Sequence, residues 1–247
     1  MRATSPNRTW PVPAARALLS TPNGASCLTR PSSELAERLA ALRRSLPPGT
    51  ALLAVSKGQP AALVRQAVAA GQRSFGESRL QEAAAKQAEL ADLEPLDWHF
   101  IGRLQANKAR GVLRHFGTIH SVDSLGLARR LARIAAEEGL SPAVLFQVKL
   151  RADPAKTGFA PAELRACWPE LAALEPLRAV GLMTIAPLGL EPAERLALFQ
   201  DCATLAAELG VTQLSMGMSG DWREAAAAGS TWVRIGTALF GSRQPSA

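Results

Sequence analysis

Residues 51–76 read ALLAVSKGQPAALVRQAVAAGQRSFG. Ala51–Ser56 is an apolar run of strand length. Ala61–Ala70 has the length and composition of a helix that stops at Gly71, and Gln72–Gly76 is strand-like again. A strand, a helix and a second strand in so short a span form a βαβ unit. Such a unit places its two strands parallel and lays the helix on the sheet.

The same rhythm extends in both directions. Upstream, Ser32–Leu46 reads as a helix with Ser32 at its N-cap and a Pro-Pro-Gly stop at Pro47–Gly49. Downstream, helix Arg79–Leu90 precedes strand Asp97–Ile101, helix Gln105–Phe116 precedes strand Thr118–Ser121, and helix Ser124–Glu138 precedes strand Ala143–Lys149. The second half continues with helix Pro161–Leu174, strand Ala179–Met183, helix Pro192–Leu209, strand Gln213–Ser215, helix Asp221–Ala228, strand Trp232–Ile235 and a last helical turn at Thr237–Phe240. Eight strands alternating with helices in about 200 residues predict a single closed (β/α)8 TIM barrel of the α/β class rather than an open doubly wound sheet. No GxGxxG follows the first strand, which argues against a dinucleotide fold.

Composition narrows the function classes. The chain has 247 residues, 47% hydrophobic and 20% charged, with a formal charge of +7. Residues 1–33 hold Arg2, Arg8, Arg16 and Arg30 and no acid, so the remainder carries +3. No Lys/Arg run or basic-aromatic stripe suggests a nucleic-acid groove. Residues 1–33 are expected to be a disordered extension, with an organelle transit peptide as the alternative. Cys27, Cys167 and Cys202 form no CxxC pair, and His99, His115 and His120 lack the HExxH spacing, so no metal site is expected. No apolar run reaches the ~20 residues of a membrane span, and a cytoplasmic location is expected.

In such a barrel, chemistry sits at the C-terminal ends of the strands. Ser56 and Lys57 follow the first strand, Glu77 and Ser78 the second, and His99 lies on the third. A lysine at a strand terminus is either a solvated cap or a partly buried amine able to form a Schiff base. Met218-Ser219-Gly220 after strand seven and Gly236-Thr237 after strand eight have the glycines and hydroxyls of a phosphate site, although turn chemistry alone also explains each loop. Arg234 and Gly236 point to the same side of their strand. An inward arginine needs a partner: either a pyridine nitrogen, which it would hold unprotonated, or an acid such as Asp123 or Glu77.

Several longer motifs surround these residues: LAVSKGQP at 53–60, FGESRLQE at 75–82, WHFIGRLQANK at 98–108, GLMTI at 181–185, LSMGMSGD at 214–221 and GSTWVRIGTALFG at 229–241. In these the chain resembles the pyridoxal phosphate homeostasis protein family, single-domain relatives of the alanine racemase N-terminal barrel (fold-type III). The resemblance covers about Glu34 to Arg243, so residues 34–247 are expected to form the cofactor-binding domain. It implies pyridoxal 5'-phosphate as cofactor, carried as a Schiff base on Lys57. It implies a phosphate site of Ser219, Gly236 and Thr237 with the Met218 backbone, and Arg234 facing the pyridine nitrogen. Ser78 falls close to the cofactor, and His99, Met183 and Ser215 fall on segments lining the same cavity. The sequence departs from the family pattern at Ser78, usually Asn, at Arg103, usually Pro, and at Gly58-Gln59, usually Thr-Lys.

The resemblance implies storage and supply of the cofactor rather than turnover, with apo pyridoxal phosphate-dependent enzymes as possible recipients and a monomeric state. The alternative is a weak amino-acid racemase of the same fold type. Racemases of this type add a second β-rich domain and use a tyrosine as the opposing base. Here the sequence runs only to Ala247 and contains no tyrosine. No catalytic residue is therefore assigned. Two-base racemisation needs an acid/base group on each face of the substrate.

Overall fold

Parallel strands cannot be joined by tight turns, so a chain of βαβ units must return across one face of its sheet each time. A computed structural model describes residues 33–153 and 156–241. The order is α1 (Ser33–Ser45), β1 (Ala51–Val55), α2 (Ala61–Ala69), β2 (Ser74–Glu77), α3 (Leu80–Glu89), β3 (Asp97–Phe100), α4 (Ala109–His115), β4 (Thr118–Val122), α5 (Leu125–Glu138) and β5 (Ala143–Gln147). It continues with α6 (Pro161–Ala172), β6 (Arg178–Met183), α7 (Pro192–Glu208), β7 (Gln213–Ser215), α8 (Trp222–Ala227), β8 (Trp232–Ile235) and α9 (Thr237–Phe240). Each strand pairs in parallel with the next, and β1 closes on β8 from Ala51↔Trp232 to Ala54↔Ile235. The expected eight-stranded barrel is the fold.

Side-chain alternation divides each strand between two environments. Leu52, Ala54, Phe75, Phe100, Ile119, Val144, Phe146, Leu182, Leu214, Val233 and Ile235 belong to one continuous core shared with the helices. Leu53, Leu145 and Met183 are out of phase with these and buried outside that core, so they fill the barrel interior. The interior also takes in His99, His120, Ser215 and Arg234, an unusual load of buried polar groups.

Where boundaries move, local hydrogen bonds explain it. The expected strand from Gln72 starts at Ser74 because the Gln72 side chain instead donates to the Leu52 and Ser74 carbonyls, at 2.9 and 2.7 Å. Expected helix 105–116 begins as a 3-10 turn at Ala106–Lys108. The strand expected to reach Lys149 ends at Gln147, after which Val148 makes an isolated bridge to Phe159. Ser124 caps α5 by accepting from the Leu127 amide at 3.3 Å. The expected N-cap Ser32 and residues 1–32 of the expected extension lie outside the described residues, and Ser33 is the first residue of α1.

Candidate functional site at the C-terminal mouth of the barrel

β1 delivers Ser56, Lys57 and Gly58 to the mouth beside β2, since the Ser56 amide donates to the Gly76 carbonyl at 3.1 Å. Lys57 is half-buried and makes no hydrogen bond or ion pair with the described residues. Its neighbours are both tied down. The Ser56 carbonyl accepts from Lys86 Nζ at 2.6 Å, and the Ser56 hydroxyl donates to Glu77 Oε1 at 2.7 Å. The Gly58 amide donates to Glu82 Oε1 at 2.5 Å. Gly58 has φ +69°, which glycine adopts without strain and a β-branched residue resists. The departure from Thr at this position therefore suits the backbone found here.

Lys86 on α3 unites this clamp. It is 5% exposed and also reaches Glu77 Oε1 at 2.6 Å and Glu82 Oε1 at 2.7 Å. Burial pushes the Glu77 carboxyl above its ordinary range, against the opposing pull of Lys86 and Ser56. Burial also acts on Glu82, but there the bonds from Lys86 and the Gly58 amide, with the Lys86 and Arg79 charges, hold the carboxyl below its ordinary range. Glu77 Oε2 is buried without a partner, as is Ser78 Oγ on the next residue. Gly102, after β3, packs so closely on the Ser78 backbone that an added Cβ would lie 2.3 Å from the Ser78 carbonyl oxygen.

On the other side of β1, β8 brings up Arg234. The guanidinium is buried and donates to the Ser215 carbonyl at 2.5 Å, the Ser215 hydroxyl at 2.8 Å and the Thr184 carbonyl at 2.9 Å. It makes no ion pair with a described carboxylate. Burial lowers its pKa to about 10, only partly opposed by the charge of Asp221 and by Cys202. The alternative in which Asp123 or Glu77 neutralises Arg234 does not occur: Glu77 is taken by Lys86 and Ser56.

The remaining expected residues fall at two depths. Met183 ends β6 opposite Ser215 of β7, and both are buried. In the loop after β7, the Ser219 hydroxyl accepts from the Ala238 amide at 3.4 Å, which draws this loop onto the start of α9. Gly236 and Thr237 stand at that start, with Thr237 exposed. Met218 is 37% exposed and its amide already donates to Asp221 Oδ1 at 2.5 Å. Arg103 is exposed. His99 lies deeper and contacts none of these directly; its ring nitrogens engage Asp97 Oδ2 at 2.6 Å and His120 Nε2 at 2.8 Å. His120 in turn bonds Ser215 Oγ at 2.8 Å.

The sequence reading passed over Lys86, Glu82 and His120. The Glu82–Lys86 i,i+4 spacing on the expected third helix was a visible signal of pairing. His120 had only its strand phase. Among the described residues no cluster of three His, Cys, Asp or Glu side chains suits a metal ion, and no helix is long and apolar enough to cross a membrane. Cys202 on α7 is a free thiol whose pKa burial pushes up to about 12, and Cys167 is also free.

The chain matches the family model described as alanine racemase, N-terminal domain, over residues 32–244. It is 48% identical over 205 residues to the pyridoxal phosphate homeostasis protein of Synechocystis, covering 81% of this chain and 94% of that one. The protein of the same name from Pseudomonas aeruginosa is 50% identical over 200 residues, covering 80% of this chain and 86% of the relative. The chain belongs to the pyridoxal phosphate homeostasis protein family. A solved structure of PipY from Synechococcus elongatus with pyridoxal phosphate bound is similar at a TM-score of 0.81 and 57% identity, covering 84% of this chain and all of that one. The alanine racemase of Clostridium difficile has a TM-score of 0.70 at 18% identity, and the match spans 57% of its chain. With that enzyme, this homeostasis-family chain shares the barrel alone.

Proposed function

We propose that this chain binds pyridoxal 5'-phosphate through a Schiff base on Lys57 and serves cofactor homeostasis in the cytoplasm, storing and supplying the cofactor rather than turning over a substrate. The observation that carries the reading is the state of Lys57. It is an amine with no partner among the described residues, between two neighbours fixed by the Lys86 clamp. The residues at the mouth fit the group. Ser78 Oγ is buried and unpartnered, and Arg234 is a buried cation with only carbonyl and hydroxyl partners.

When bound, the cofactor supplies an aldehyde carbon and an electron-withdrawing ring. The chain's residues do the rest. Lys57 Nζ would provide the covalent attachment, and Ser219, Gly236 and Thr237 would hold the phosphate. The Met218 amide is already committed to Asp221, so Met218 contributes by position only. Ser78 Oγ and the Arg234 guanidinium supply donors, with Met183 and Ser215 as walls and His99 behind them. Arginine donates and cannot accept, so Arg234 would hold the ring nitrogen of a bound cofactor without a proton, which would disfavour carbanion chemistry.

The racemase alternative lacks a second base. The sequence has no tyrosine, and His99 is 2% exposed with both ring nitrogens engaged. The same reading takes the protein as a monomer that passes its cofactor to apo enzymes. The test is the visible absorption of purified protein with added pyridoxal phosphate. A band present in the wild type and lost in Lys57→Ala supports the reading. A colourless wild type overturns it, and Lys57-dependent conversion of L- to D-alanine overturns the non-catalytic part.

A further inference from the structure

Five side chains form one unbroken hydrogen-bonded chain through the barrel interior. Arg234 Nη1 meets Ser215 Oγ at 2.8 Å, Ser215 Oγ meets His120 Nδ1 at 2.8 Å, His120 Nε2 meets His99 Nδ1 at 2.8 Å, and His99 Nε2 meets Asp97 Oδ2 at 2.6 Å. Arg234 and Ser215 belong to the cofactor mouth. Asp97 is the first residue of β3, at the opposite end of the barrel, with its side chain 50% exposed. The Ser74 hydroxyl also donates to Asp97, at 3.2 Å.

Donor chemistry gives this chain a single polarity when both rings are neutral. An ionised Asp97 only accepts, so His99 Nε2 carries hydrogen and Nδ1 is bare. His120 must then donate from Nε2, which leaves its Nδ1 to accept from the Ser215 hydroxyl. Ser215 Oγ in turn accepts from Arg234, which can only donate. Every member is satisfied, and one displacement of protons reverses the middle of the chain.

We propose that Arg234, Ser215, His120, His99 and Asp97 form a through-barrel proton relay that carries a proton between the cofactor end of the pocket and solvent at the opposite face. A proton entering at the mouth end of the chain bonds to Ser215 Oγ as the Ser215 proton passes to His120 Nδ1. The His120 Nε2 proton passes to His99 Nδ1, and the new positive charge rests on His99 against the Asp97 carboxylate. One proton has been taken up and none lost. His120 has changed tautomer without changing charge, and Ser215 now accepts from both His120 and Arg234 and turns its own O–H toward the pocket. His99 and His120 are thus positioning residues: they set what the Ser215–Arg234 end offers a ligand. The pocket link rests on the reading that Arg234 faces the cofactor ring.

The surroundings favour such a device. His120 is fully buried between His99 and Arg234, and burial together with those two charges keeps it from becoming doubly protonated. Burial raises Asp97, but its bond to His99, the His99 charge and the Ser74 bond outweigh it and hold the carboxyl below its ordinary range. The charged and titratable groups facing the relay are its own members and, near Arg234, Asp221 and Cys202. β1, β5 and β7 contain no titratable side chain, Glu77 of β2 is turned to Lys86, and Arg178 at the start of β6 is exposed.

The test is a pH titration of the full chain, without cofactor, carrying 15N-labelled histidine and followed by NMR. His115, bonded to Gln87, is the internal control. The relay predicts that His120 switches from Nε2–H to Nδ1–H without double protonation, in step with proton uptake on the His99 ring. Asp97→Asn should move that switch to lower pH, because it removes the carboxylate bonded to His99. A His120 that keeps Nε2–H throughout, or a switch that Asp97→Asn leaves in place, overturns the relay. Ser215→Ala gives a second check, since it removes the acceptor for His120 Nδ1–H and should abolish the switch. Equilibrium dialysis of pyridoxal phosphate across the same pH range tests the pocket link. An affinity change that moves with the switch in Asp97→Asn supports it, and an affinity indifferent to the switch overturns it. Absence of binding at every pH would instead defeat the proposed function, and the NMR titration would still decide the relay.

Discussion

Two buried cations stand on either side of Lys57 and are held in opposite ways. Lys86 touches two carboxylates and a backbone carbonyl within 2.7 Å. Arg234 touches two carbonyls and a hydroxyl and makes no ion pair with a described carboxylate. The first is a closed arrangement whose charges answer one another, and its effect is to fix the backbone on both sides of Lys57. The second is a buried charge held at a cost, which a protein keeps when the charge has a use. The contrast separates the scaffold beside Lys57 from the cation to which the proposed function gives a ligand.

The largest way to break this contrast is Lys86→Met. It leaves Glu77 and Glu82 without their cation, and removing one partner of a buried pair costs about 3–5 kcal/mol. Denaturant unfolding should show that loss in the protein without cofactor. Arg234→Met should act the other way round. Its unfolding free energy should fall by less than that of Lys86→Met, because no carboxylate is left unpaired. Its affinity for pyridoxal phosphate, measured by dialysis, should fall about tenfold, the worth of one hydrogen bond from a charged donor.

A pH series sharpens the comparison further. His120 binds its second proton far less readily in the folded protein than at the ordinary value of 6.5. Below about pH 6.5 the unfolded chain therefore holds more protons at this position, and stability falls as pH falls, by up to about 1.4 kcal/mol per pH unit. Thermal melts between pH 7 and 5 should show that slope, and His120→Gln should reduce it by about one proton's worth. The smallest effect is expected at Ser78. Its hydroxyl is buried without a partner, so Ser78→Ala should leave the cofactor-free protein as stable or up to about 1 kcal/mol more stable. The same change should weaken cofactor binding a few-fold; unchanged binding would remove Ser78 from the site.

The barrel was legible because it depends on local signals repeated eight times: apolar strand runs, helices with caps, and stops such as Pro47–Gly49 and Gly71. The placement of Lys57, Ser78 and Arg234 at or beside strand ends was legible because those ends are known places once the strands are counted. The clamp and the relay were not. Lys86 reaches Ser56 across 30 residues, and His120 reaches Ser215 across 95. Those meetings depend on strand register and inward phase, which strand-level patterning does not resolve to one residue. The same limit explains His99: its place on the third strand was legible, but its depth below the mouth was not.

The measurement that bears most directly on this account is the identity of the lysine that carries the cofactor. Protein loaded with pyridoxal phosphate is reduced with borohydride, digested and mapped by mass spectrometry. The free state of Lys57 and the full engagement of Lys86 predict a single pyridoxyl label, on Lys57. A label on Lys86 or on another lysine, with Lys57 unmodified, would contradict the account.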